Sequence, residues 1–148
     1  MEILRFILFS LPESIFLSLV IVYVLNIKCS RVQRILAILY TSMISYICYC
    51  YVDSFGINVI TSSLVLSMIY KGWYDYDIPI IKYWITTIGT LLIMFSMEVF
   101  ISVPMIFLCG LDVLKIQDNI SMLFFISIPL RVIQFTILYL LYRRYNYD

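Results

Sequence analysis

Long apolar runs separated by short polar connections dominate this sequence. The runs cover residues 6–27, 35–52, 55–74, 80–108 and 120–142, and charged residues are rare inside them. A bilayer core about 30 Å thick needs roughly 20 helical residues to cross it, which is close to the length of each run. The pattern predicts an all-α, polytopic membrane bundle of about five transmembrane helices, forming a single domain over residues 1–148.

Composition explains why water is a poor solvent for such a chain. Hydrophobic residues make up 64% of it and charged residues 13%, whereas soluble domains are roughly half apolar and about a quarter charged. The apolar runs carry no polar face that water could cover. We therefore expect a multi-pass protein of the cytoplasmic membrane, with the lipid bilayer as its first partner.

The third run is the shortest of the five. Its uncharged, mostly apolar part, 57–70, has 14 residues, a length that also suits a re-entrant or interfacial segment. The wider window 55–74 has 20 residues and one charge, Lys71, whose long side chain can reach the membrane surface from a helix end. We therefore count this run as a span.

The placement of lysine and arginine predicts the orientation, because short cytoplasmic loops are enriched in them. With the N-terminus outside and five crossings, seven of these residues fall on the cytoplasmic side and two on the outer side. The cytoplasmic set is Lys28, Arg31, Arg34, Lys71, Lys82, Arg143 and Arg144, and the outer set is Arg5 and Lys115. If the third run did not cross, the bias would be roughly reversed.

Three ionisable residues lie inside the predicted spans: Glu13, Glu98 and Arg131. A charge at the centre of a membrane helix costs at least about 2.5 to 3.5 kcal/mol, so such residues usually face the bundle interior and pair. All three lie about 10 to 17 Å below the outer ends of their helices at 1.5 Å per residue. We predict one polar cluster in the outer half of the membrane, with Arg131 between the two carboxylates.

Polar residues at helical spacing extend this predicted cluster. Ser127 and Gln134 share a face with Arg131, Thr87 and Ser102 share one with Glu98, and Ser10, Ser14 and Ser18 share one with Glu13. Three interpretations stay open. The cluster holds the helices together, it binds a ligand or signal, or it lines an ion or proton path.

Several function classes lack the residues they need. The chain has no histidine, which removes Ser/His and Cys/His catalytic pairs. It also has no glycine-rich phosphate loop and no CxxC pair, and its net charge of +1 is spread without a basic nucleic-acid patch. We expect no enzymatic activity, no metal, no cofactor and no nucleic-acid partner.

The order of short motifs resembles a known family. Pro12-Glu13 in the first span is followed by a basic first loop, a Phe-Gly-Ile-Asn turn at residues 55–58, and a mid-span glutamate, Glu98. This order resembles the N-terminal membrane sensor region of sensor histidine kinases of clostridial and bacilliform bacteria, whose cytoplasmic part is Spo0B-like or of the GHKL type. The resemblance implies a bundle that perceives a signal and passes a helix movement down its fifth span.

The departure from that family is large, because only four residues follow Arg144 and the kinase part is missing. The resemblance then implies a non-enzymatic, sensor-like or interaction module that signals or assembles through a partner. That partner is another protein of the membrane or the cytoplasm, or a second copy in a homo-oligomer. The alternative is a small transporter component or channel that uses the same Glu/Arg cluster.

Overall fold

Helices account for almost all of the chain that the computed structural model describes, which is residues 6–51, 55–74, 77–108 and 120–147. A π-helical turn over Phe6–Ser10 leads into the first α-helix. The five α-helices are α1 (Leu11–Val24), α2 (Arg31–Tyr51), α3 (Phe55–Trp73), α4 (Ile80–Leu108) and α5 (Ile120–Tyr147). The prediction of an all-α chain with five helices is confirmed.

Local hydrogen bonds explain why α1 ends and α2 begins where they do. Asn26 takes a left-handed conformation, with φ of 53°, and the Ile27 amide donates to the Val22 carbonyl at 2.9 Å, as in a Schellman motif. A reciprocal capping box then opens α2. The Ser30 amide donates to Gln33 Oε1 at 2.9 Å, and the Gln33 amide donates to Ser30 Oγ at 3.2 Å.

α1 is the central helix of the bundle. It contacts α2, α4 and α5, while α3 packs between α2 and α4, and α5 packs against α4. A helix that is apolar on every side suits such a central position. The buried residues of α1 are Ser14, Phe16, Leu17, Ser18, Val20, Ile21 and Val22.

Two stretches in the described part of the chain are long and apolar enough to cross a membrane. They are Ile80–Leu108, with a mean hydropathy of 2.3, and Phe124–Asn146, with a mean hydropathy of 1.9. In the most apolar window of Ile80–Leu108 only 6% of the residues are buried within the protein. This helix therefore exposes apolar surface that a core helix of a soluble protein would bury.

Candidate functional site

An ion pair joins the first helix to the last. Arg131 Nη2 on α5 lies 2.9 Å from Glu13 Oε1 on α1. The second guanidinium nitrogen, Nη1, donates to Gln134 Oε1 at 2.8 Å, one helical turn further along α5. Both acceptors hold the planar guanidinium in one orientation, which is how arginine is best used in an apolar setting.

The pair is only partly enclosed by protein. The Arg131 side chain is 12% exposed and that of Glu13 is 28% exposed. Beside it runs an open groove of about 630 Å³ between α5 and the start of the first helix. Its lining is mostly apolar and consists of Ile7, Pro12, Phe124, Ser127, Ile128, Arg131, Val132, Phe135, Thr136 and Tyr139.

Ser127 and Gln134, the two other residues predicted for this cluster, are both buried. Ser127 Oγ donates to the Phe124 carbonyl of its own helix at 2.8 Å, so it does not bond to the ion pair through that proton. Gln134 is 2% exposed, and its Nε2 group has no hydrogen-bond partner among the described residues. A buried donor without an acceptor costs about 1 to 3 kcal/mol.

Glu98, the second predicted carboxylate, is not bonded to Arg131. Its side chain is exposed, and no hydrogen bond or ion pair joins it to another described residue. The helix that carries it, α4, packs against both α1 and α5, the helices of the pair. The structure thus differs from the expected arrangement of one arginine between two carboxylates.

The reason lies in how α4 packs. Its buried side chains are Tyr83, Thr87, Thr90 and Met94, and no described side chain of α4 beyond Met94 is buried. α4 therefore packs into the bundle along its first half, and Glu98 lies just past the end of that contact.

Ser14 and Thr87, which were also predicted for this cluster, bond to backbone carbonyls of the preceding helical turn, whereas Ser18 bonds to side chains of α2 and α3. Ser14 Oγ donates to the Ser10 carbonyl and Thr87 Oγ1 donates to the Tyr83 carbonyl, each at 2.7 Å. Neither side chain is bonded to the ion pair. The side chain of Ser102 lies outside the described residues.

A second polar cluster, which the sequence did not indicate, joins three helices in the interior. Tyr70 Oη of α3 lies 2.7 Å from Thr41 Oγ1 of α2 and 3.1 Å from Ser18 Oγ of α1. All three residues are fully buried. Thr41 Oγ1 also donates to the Ala37 carbonyl at 2.7 Å, so the hydroxyl groups form a connected network. We call Ser18, Thr41 and Tyr70 the hydroxyl cluster.

The far end of α5 is tied to the loop after α1. Tyr145 Oη donates to the Ile27 carbonyl at 3.1 Å, and the ring of Tyr145 lies 5.3 Å from that of Tyr23. Fourteen residues of continuous helix, about 21 Å at 1.5 Å per residue, separate Arg131 from Tyr145. α1 and α5 are thus connected both at the ion pair and at this end.

Fold and site together define a helical bundle with a charged pair set among apolar helices. No family model, curated protein or solved structure matches the chain.

Proposed function

We propose that this chain is a five-span, non-enzymatic membrane protein that acts as a sensor-like or interaction module through a partner. The observation that carries the proposal is the Glu13–Arg131 ion pair beside an open groove. Salt bridges of this kind are expensive among apolar helices, and intramembrane charges are commonly retained for function. A groove that is open at the side of the bundle suits a signal that arrives within the bilayer.

α5 supplies the route by which such a signal would reach the cytoplasmic side. An acceptor group entering the groove, which Arg131 lines, competes with Glu13 for the guanidinium. Weakening the ion pair releases α5 from α1 at that point. Because α5 is continuous to Tyr147, a tilt there displaces Tyr145 from the Ile27 carbonyl at the other end.

The five-span topology is tested with two native cysteines. Cys29 lies in the first loop and Cys109 follows α4 in the sequence. In variants that keep one of them and replace the other cysteines by serine, a membrane-impermeant maleimide is applied to intact cells. We expect Cys109 to react and Cys29 to react only after permeabilisation.

A four-span chain gives a different result, because omitting the α3 crossing moves Cys109 to the cytoplasmic side. A protected Cys109 that becomes reactive on permeabilisation would therefore rule out the five-span topology. Detergent-solubilised protein is the control that both thiols can react at all.

The requirement for a partner is tested on protein extracted from its native membrane in a mild detergent. We expect the chain, whose own mass is 17.5 kDa, to migrate in a complex with a second protein at fixed stoichiometry. The purified chain alone, reconstituted in vesicles, is expected to give no ion or proton flux above that of empty vesicles. A chain that is always solitary, or one that conducts and changes its flux in Glu98→Gln, contradicts the proposal and favours a transport role.

A further inference from the structure

Glu98 lies on the side of α4 that faces the bundle, yet its side chain remains exposed. Met94 and Thr87 are buried and precede Glu98 by 4 and 11 residues. With 3.6 residues per turn, these spacings place all three on one side of the helix. Glu98 therefore lies on the packed side of α4 but just past Met94, the last buried residue that the structure describes in this helix.

No described lysine or arginine lies within ion-pair distance of Glu98. Arg131 is engaged by Glu13 through their 2.9 Å contact, so the Glu98 carboxyl has no cationic partner of its own in the described part of the chain. A charge at the centre of a membrane helix costs at least about 2.5 to 3.5 kcal/mol. A cation brought to Glu98 from outside the described bundle removes that cost, because opposite charges attract more strongly in a medium of low dielectric constant.

We propose that Glu98 is the docking point for a transmembrane helix of another membrane protein, which carries a lysine or arginine at the same depth. This inference rests on the proposed five-span topology and names the chemistry of the partner. The surface around Glu98 suits a helix, since the neighbouring Phe95 and Val99 are 41% and 40% exposed. Their side chains supply packing contacts beside the proposed pair of Glu98 and the lysine or arginine of the partner helix.

Charge complementarity favours a different protein over a second copy of this chain. The intramembrane base of a second copy is Arg131, and it is already bonded to its own Glu13 and Gln134.

The test uses synthetic transmembrane peptides as probes. The first is a 21-residue leucine–alanine helix with one lysine at its centre, the second has leucine there, and the third has the lysine near one end. Association with the full chain is measured by energy transfer between fluorescent labels in phosphatidylcholine vesicles. We expect the central-lysine peptide to associate at least tenfold more strongly than either of the other two.

Three variants assign this preference to Glu98. Glu98→Gln keeps the size of the side chain and is expected to abolish the tenfold preference. Ser96→Ala, on the opposite side of the same exposed stretch of α4, is expected to keep it, and so is Lys115→Gln. Helix content by circular dichroism is measured for each variant, so that loss of folding is recognised separately.

Equal association of the leucine peptide overturns the proposal, and so does a preference that survives in Glu98→Gln. A chain that associates with itself through Glu98, and loses that association in Glu98→Gln, also overturns it in favour of a homo-oligomer. These outcomes are separate from failure of the five-span topology. Cysteine labelling that supports five spans, together with no lysine preference, rejects this docking site alone.

Discussion

Replacing Arg131 by leucine is expected to destabilise the protein by about 3 kcal/mol, because removing one partner of an ion pair leaves the other charge uncompensated among apolar helices. The Glu13 carboxylate loses its 2.9 Å contact, and Gln134 Oε1 loses the donor that lies 2.8 Å away. This loss of stability is at the lower end of the range of about 3 to 5 kcal/mol for breaking a buried ion pair, because the Glu13 side chain is 28% exposed. Unfolding in mixtures of mild detergent and sodium dodecyl sulfate measures the change.

Arg31→Leu is the matched control for this substitution. Arg31 is exposed at the start of α2, so the same loss of one guanidinium there is expected to change the free energy of unfolding by less than about 0.5 kcal/mol. If the two variants are equally stable, the Glu13–Arg131 pair does not stabilise the fold.

Replacing Tyr70 by alanine is expected to cost about 3 to 5 kcal/mol, as is usual when a large aromatic side chain is removed from a packed interior. Tyr70 is fully buried and meets both α1 and α2 through the hydroxyl cluster. Tyr70→Phe keeps the ring and removes only the hydroxyl. It is expected to cost about 1 kcal/mol, the usual net value of one such hydrogen bond.

The same unfolding titration separates these effects. Tyr139→Ala is the control, because Tyr139 is 63% exposed on α5 and its truncation opens no cavity in the interior. We expect the order of stability to be Tyr139→Ala, then Tyr70→Phe, then Tyr70→Ala. A Tyr70→Ala variant as stable as Tyr139→Ala would show that the three helices do not meet at this cluster.

The positions of the helices were largely predictable from apolar run length. The predicted fourth run, 80–108, coincides with α4, and the third differs from α3 by one residue at its end. The ends of the first two were placed less well. α1 stops at Val24 because Asn26 adopts a left-handed conformation, and α2 starts at Arg31, ahead of the predicted residue 35. The Ser-x-x-Gln pattern at residues 30–33 is a capping signal that marks this start.

The helix neighbours were harder to predict, because the helices are apolar around most of their circumference and no stripe indicates the buried face. Depth in the membrane suggested that Glu13 and Arg131 could meet. The same depth argument applied to Glu98, which is not bonded to Arg131 because it lies past Met94, the last buried residue described in α4. Where the buried contact of α4 ends depends on the packing of Met94 and its neighbours, which no local sequence pattern encodes.

The hydroxyl cluster illustrates the same difficulty. Serine and threonine commonly bond to the preceding turn of their own helix, as Thr41 does with the Ala37 carbonyl. Their presence in an apolar run therefore says little about contacts between helices. Tyr70 lies near the end of α3, where a tyrosine is ordinarily interpreted as an interfacial anchor.

The most direct test of the central claim, an ion pair between α1 and α5 inside a helical bundle, is a charge exchange. Glu13→Arg and Arg131→Glu each place two like charges together and are expected to reduce the amount of folded protein in the membrane. The double variant restores an opposite pair, and we expect it to recover stability with a coupling free energy of about 1 to 3 kcal/mol. A double variant no more stable than the sum of the two single changes would contradict the ion pair and the function built on it.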